Sequence, residues 1–210
     1  LDAQFRCGGS EEYLLWVKRL LSLIPDGPTE WLRDPHFDVE VVDSPYEMEA
    51  YLATKLEGGY SARMAAGYCW PWSDPRPDGS LVPDVRIGEW AKPWNLKGDR
   101  AIGGAPAAAL WATDPAGFGQ VGCVYTAQGF EYDYAGVILG PDLVWRDGRW
   151  VAVRAANKDP DFRNRTTVSD ADFDRLVRNV YKVLLTRGMR GVAILSTDPK
   201  THDHLRRLAT

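Results

Sequence analysis

Three short apolar runs constrain this chain most: Gly119-Gln-Val-Gly-Cys-Val-Tyr125, Tyr134-Ala-Gly-Val-Ile-Leu139 and Gly191-Val-Ala-Ile-Leu195. They are apolar at consecutive rather than alternate positions and too short to fill a globular helix. Strands buried on both faces read this way, and such strands belong to parallel sheets covered by helices. The intervening segments supply those helices. Ser10 before Glu11 and Glu12 is an N-cap with an acidic first turn, and Leu14, Val17, Leu21 and Ile24 follow at helical spacing until Pro25-Asp-Gly-Pro28. Ser44-Pro-Tyr-Glu47 is a capping box with proline at the first helical position, opening a helix to about Glu57. Ser169 caps another through about Thr186, with Phe173, Leu176, Val177, Val180 and Leu184 inward. Phe37-Asp-Val-Glu-Val-Val42 alternates as a strand, Ala62 to Tyr68 is a small-residue strand, and a short helix closes the tail from His202. Strands alternating with helices predict an α/β fold with a mainly parallel sheet and helices on both faces. Ligands in such folds sit outside the carboxyl ends of the strands.

Residues from about Cys69 to Trp111 break the rhythm, with many Pro and Gly and with Trp70, Trp72, Trp90, Trp94 and Trp111 interleaved. An irregular stretch of that length is uncommon in a compact domain unless it is functional or separately packed. Its tryptophans either build a satellite core or, with Lys92, Lys97 and Arg100 among them, offer faces on which single-stranded bases stack. Further on, Leu143-Val-Trp-Arg146 and Arg149-Trp-Val-Ala-Val153 flank Asp147-Gly148, a favoured hairpin turn.

At 210 residues the chain is read as one domain, 1–210, with the insertion at about 69–111. A net charge of -4 argues against coating nucleic acid by bulk charge, so any such contact needs a local strip. No apolar run reaches membrane-spanning length. Three widely spaced cysteines fit a reducing cytoplasm better than a disulfide framework. His202-Asp-His204 lacks a distant third ligand, so no metal site is expected.

Three stretches carry charge or polarity where packing does not demand it. Arg187 closes Tyr181-Lys-Val-Leu-Leu-Thr-Arg187 just before a glycine. A helix-end cation explains it alone, yet its guanidinium fork also matches phosphate oxygens. Arg6 stands in Gln4-Phe-Arg-Cys7, read either as a solvated terminal arginine or as a second phosphate contact. Tyr125-Thr-Ala-Gln-Gly-Phe-Glu131 follows an apolar strand. There Gly129 permits a tight turn, Thr126 and Gln128 offer neutral hydrogen bonds, and Glu131 a carboxylate suited to a ribose hydroxyl. Arg175, Arg178 and Lys182 share a helix face that is either solvated or in contact with phosphates.

In order, the three stretches resemble the fourth, fifth and sixth motifs of the second RecA-like motor domain of superfamily 1 helicases. More closely, Gln4-Phe-Arg-Cys-Gly-Gly-Ser10, Gly67-Tyr-Cys-Trp-Pro-Trp-Ser73 and Val124 to Tyr134 resemble the DUF2075 family of bacterial Schlafen-type DNA/RNA helicase-like ATPases. The likeness runs from Gln4 to about Ser196. It implies a RecA-like fold of the P-loop NTPase type. Arg6 and Arg187 would reach the γ-phosphate of ATP, Glu131 would hold the ribose, and Gln128 and Gly129 would couple nucleotide to nucleic acid. Thr126, Trp70, Trp72 and Trp94 are the nucleic-acid candidates. The phosphate-cradling Gly-x-x-x-x-Gly-Lys-Ser/Thr loop is absent from the sequence. ATP with magnesium is therefore expected only in the full-length protein, held by an N-terminal Walker-containing domain, and this chain is expected to be its C-terminal motor half, inactive alone. The alternative is a non-catalytic module binding DNA, RNA or protein on a degenerate helicase fold.

Overall fold

The computed structural model describes residues 6–209, apart from the side chains of Arg6 and Arg163. A 3-10 turn, Arg6–Gly9, leads into helix α1 (Glu11–Leu20), strand β1 (Asp38–Val41), helix α2 (Pro45–Glu57) and strand β2 (Ala62–Ala66). The insertion contributes a small hairpin, β3 (Val85–Ile87) and β4 (Trp90–Lys92). Strand β5 (Val121–Gly122), the one-turn helix α3 (Val124–Ala127) and strand β6 (Tyr132–Leu139) follow. Next come hairpin β7 (Leu143–Arg146) and β8 (Arg149–Ala152), short α4 (Pro160–Arg163), α5 (Asp170–Leu185), β9 (Gly188–Ser196) and α6 (Pro199–Ala209).

The central sheet has five strands in the order β1-β9-β6-β2-β5. Every pairing in it is parallel. Side chains alternate across it as the pleat requires, save where a register shift in β6 between Tyr132 and Tyr134 puts those two residues on opposite faces. On β6, Tyr132, Ala135, Val137 and Leu139 join a core with α1, α5 and α6, while Tyr134 and Ile138 join one with α2 and the insertion. Gly136 faces α2 because a Cβ there would lie 2.7–2.8 Å from Leu52 and Met48 side-chain atoms. One face is thus covered by helices and the other by α2 plus the insertion, whose Trp90 Nε1 and Lys92 Nζ donate to the Glu49 carboxylate.

The insertion also closes the open sheet edge. Asn95 N–H donates to Val121 O and Val121 N–H to Pro93 O, so β5 presents no unpaired rim there. Arg63 of β2 pins its far end, donating from Nε to Trp111 O at 2.7 Å and from Nη2 to Asp114 O at 2.6 Å.

The caps form as the sequence predicts. Ser10 Oγ accepts from Tyr13 N–H, Ser44 Oγ from Glu47 N–H and Ser169 Oγ from Asp172 N–H. Asp147 and Gly148 both take positive φ (49° and 77°), the turn a two-residue hairpin needs. Three expectations shift. Helix α1 stops at Leu20, before Pro25, because Ser22 turns left-handed (φ 51°). Val124 and Tyr125 belong to α3 rather than to a strand, since only Val121 and Gly122 find a partner in β2. Pro160 to Val168 reads as a polar loop, yet Pro160–Arg163 forms a helical turn, capped by the Asp159 side chain.

Candidate functional site

A helix ends with carbonyls that lack partners, and at the end of α5 the residues singled out from the sequence supply them. Thr186 turns its hydroxyl back to Lys182 O at 2.9 Å. Arg187 folds beneath the helix end: Nε donates to Val183 O at 3.0 Å, and Nη1 to Gln128 O at 3.1 Å and, less directly, to Phe130 O at 3.4 Å. Only 3% of Arg187 is exposed. Its guanidinium therefore does two things at once, complementing the helix dipole and fastening the Gln128–Phe130 turn to α5.

The N-terminal stretch packs onto the same place. Cys7 and Gly8 are left-handed (φ 54° and 60°), a conformation that is costly for a cysteine. At Gly8 no side chain fits, because a Cβ would lie 2.4 Å from Met189 O. Cys7 Sγ approaches Thr186 O at 3.9 Å, and Tyr13 Oη donates to Leu185 O at 2.8 Å. The three stretches therefore meet, from opposite ends of the chain, at the amino ends of β6 and β9. The sheet rule placed ligands at the carboxyl ends; here α5 runs antiparallel to the strands and delivers Arg187 to the opposite rim. Arg6 opens the turn, but its side chain lies outside the described residues.

Gln128, Gly129 and Glu131 are exposed. Gly129 does not take positive φ, and a Cβ there would meet nothing closer than Thr126 O at 4.0 Å. The fold itself does not require that glycine, so its turn-making reason falls away. Glu131 is exposed beside this open backbone. The chain's contribution to an ATP site would be Glu131, Gln128, Gly129 and the arginines; without a Walker loop in the sequence, the phosphates and magnesium would be held elsewhere.

Next to this turn is a groove of about 670 Å³ whose walls include Tyr68, Trp72, Lys97, Tyr125, Thr126 and Gln128. Trp72 is half-buried, its Nε1 donating to Asn95 O at 3.1 Å, and Lys97 Nζ sits 5.2 Å from its ring centroid. Tyr68 meets Trp72 edge-on at 5.7 Å. Thr126 and Trp72 are thus brought together. Trp94 is not available as a stacking face: it is 2% exposed, with Nε1 bonded to Pro71 O. Trp70 packs against Trp94 and donates to Arg86 O, away from the groove walls. The tryptophan-rich segment builds no satellite core among the described residues: Trp90 and Trp94 join the core on the α2 face of the sheet and Trp111 the core on the other, while Trp72 lines the groove.

Tyr68 and Tyr125 are groove residues to which the sequence assigned no role of their own; each closes an apolar run, which is their only local signal. Tyr125 Oη lies 2.8 and 3.1 Å from the Asp159 carboxylate oxygens and 3.0 Å from Asp161 Oδ2. Burial, followed by those carboxylates, pushes its phenol well up, and burial also raises the Asp159 carboxyl. The basic helix face is partly structural, since Arg178 pairs with Asp174 and donates to Leu21 O. His204 stacks on Trp145 with centroids 3.8 Å apart, and His202 contacts Asp43.

Known proteins place the chain. The family model described as Schlafen group 3, DNA/RNA helicase domain, matches residues 1–198. An uncharacterized protein of Saccharomyces cerevisiae, YPL245W, is 26% identical over 224 residues, covering 99% of this chain and 47% of that protein. The chain thus spans about half the length of that curated relative, and the likeness is not confined to bacteria. No solved structure matches.

Proposed function

Because the chain belongs to the Schlafen group 3 DNA/RNA helicase domain family, we propose that it is the second motor half of a nucleic-acid-dependent ATPase. The supporting observation is the meeting of Arg6–Gly9, Gln128–Glu131 and Thr186–Arg187 at one rim, beside a groove that carries Thr126 and Trp72. In this reading Glu131 holds a ribose hydroxyl, and Arg6 and Arg187 stabilise charge on the phosphoryl group that a Walker-containing partner domain presents. Gln128 and Gly129 lie between that rim and the groove and pass nucleotide state to the nucleic acid. Arg187 is held by three carbonyls in the present arrangement. Engaging a phosphate means exchanging neutral carbonyl acceptors for anionic oxygens that match the guanidinium fork bidentately, which adds energy and geometric specificity. That exchange releases the Gln128–Phe130 turn.

The test is ATP turnover by the full-length protein. Arg187→Ala is expected to lower it by about 10³-fold. Arg187→Lys keeps the charge but not the fork and is expected to fall nearly as far while melting close to wild type. Turnover by Arg187→Lys within about threefold of wild type would reject the role.

The groove supports a second reading, in which the domain binds single strands without motor function. Trp72 beneath Lys97 is the observation that favours it. Binding of a fluorescent oligonucleotide by this chain alone, weakened by Trp72→Ala and indifferent to Arg187→Lys, alongside unchanged turnover in the second variant, would select this reading over the first.

A further inference from the structure

At the carboxyl rim of the sheet, opposite Arg187, lies a junction built from five separated positions. Tyr181, on the inner face of α5, passes its hydroxyl between the ends of β2 and β6. A glycine follows each strand directly, Gly67 after β2 and Gly140 after β6. A Cβ on Gly67 would lie 1.9 Å from Tyr181 Oη, and one on Gly140 would lie 2.3 Å from Cys69 Sγ and 3.5 Å from Tyr181 Oη. Neither glycine has positive φ, so each is required for space. The hydroxyl accepts from Gly140 N–H at 2.9 Å and donates to Asp142 Oδ1 at 2.5 Å.

Asp142 is 1% exposed and forms no ion pair among the described residues. Burying such a polar group costs free energy unless its oxygens are hydrogen-bonded. Its second oxygen accepts from Asn157 Nδ2 at 2.7 Å, and Asn157 Oδ1 accepts from Asp159 N–H at 2.8 Å. Asp159 in turn accepts from Tyr125 Oη, in the groove wall, and Lys158 N–H donates to Tyr68 O, in the same wall. An unbroken hydrogen-bonded path thus runs from the groove, through Asp159, Asn157 and Asp142, to Tyr181. Arg187 follows at the C-terminal end of the same helix, two turns on.

We propose that Asp142 and Tyr181 are positioning residues that report occupancy of the groove by a single strand to the Arg187 end of α5. This rests on the motor reading above. A strand seated against Tyr125 and Tyr68 pulls on Asp159 and Lys158, and the buried carboxylate passes the displacement to Tyr181. Helix α5 moves as a rigid element, and its far end carries the arginine. The polar group is retained in the core because a directional acceptor with two occupied oxygens holds the helix in one register, which an apolar contact does not.

The experiment compares ATP turnover by the full-length protein with and without a single-stranded oligonucleotide, for wild type, Tyr181→Phe and Asp142→Asn, together with oligonucleotide affinity. Basal turnover and affinity are expected to stay within about twofold of wild type, while stimulation by the oligonucleotide falls by about tenfold. A merely structural role would lower basal and stimulated turnover together. Tyr181→Phe removes one oxygen and keeps the ring, so it decides the matter if Asp142→Asn does not fold. The double variant Tyr125→Phe with Tyr181→Phe is expected to lose no more stimulation than Tyr181→Phe alone, whereas independent effects would multiply. Stimulation of Tyr181→Phe within about twofold of a stimulated wild type overturns the relay and leaves the motor reading standing. A wild type that turns over ATP without any response to single strands overturns both.

Discussion

Gly67→Ala puts the geometry of the Tyr181 junction to a direct stability test. The added Cβ would lie 1.9 Å from Tyr181 Oη, 2.6 Å from Cζ and 3.1 Å from Cε1. Ordinary contact demands a retreat of roughly 1.5 Å. Tyr181 is fully buried, and a close-packed interior offers no empty space into which the ring can back away. The movement breaks its bond to Asp142 and strands Gly140 N–H. Overpacking costs about 1–3 kcal/mol and loss of a bond to a charged acceptor about 1.5–3 kcal/mol, against about 0.4–1 kcal/mol gained by restricting the unfolded chain. The net expectation is a loss of about 2–5 kcal/mol, a large share of the roughly 5–15 kcal/mol of a typical domain. Urea unfolding followed by tryptophan fluorescence measures it, since the chain has nine tryptophans. Placed in the Tyr181→Phe background, the same change meets no hydroxyl, and its cost is expected to shrink by about 1–2 kcal/mol. A Gly67→Ala protein within about 1 kcal/mol of wild type, or an equal cost in both backgrounds, would refute the reasoning.

Two further outcomes separate packing from function and charge from burial. Trp94→Ala removes a core indole and is expected to cost about 3–5 kcal/mol; Trp72→Ala is expected to cost far less stability but about 1–3 kcal/mol of single-strand binding, read by the same melts and by fluorescence anisotropy. Burial, followed by Arg207, pushes the His204 imidazole down to about 4. A base whose folded pKa is depressed charges more readily when unfolded, so stability is fully present above the ordinary value near 6.5 and falls as pH drops toward 4. After allowance for screening the loss is on the order of 1–2 kcal/mol, and His204→Phe should flatten the slope of urea stability between those pH values.

The features legible in the sequence were those whose cause lies within a few residues. Ser10, Ser44 and Ser169 cap their helices because a side-chain oxygen needs only to reach an N–H three residues on. Asp147-Gly148 makes its hairpin because both residues tolerate positive φ. The apolar runs announced a parallel sheet because a strand buried on both faces has no polar side to show. The order of the three motif stretches was also visible, though not that they would meet at the amino rim.

What sequence could not decide depended on partners far along the chain. Trp94 and Trp72 are equally aromatic on paper, yet only the packing of the insertion against β5 buries one and leaves the other at a groove. Val124-Tyr125 reads as strand by composition and becomes helix because β2 pairs no farther than Gly122. Gly67 reads as one more small residue of a strand, and nothing local marks Gly140, until Tyr181, more than forty residues from the second, needs their missing side chains. Arg187 could be read as a phosphate fork or a helix-end cation, and only the fold turned its fork onto the carbonyls of Gln128 and Phe130. Local chemistry fixes which elements form, and steric fit between elements, which no periodicity encodes, fixes what each exposed or buried side chain is able to touch.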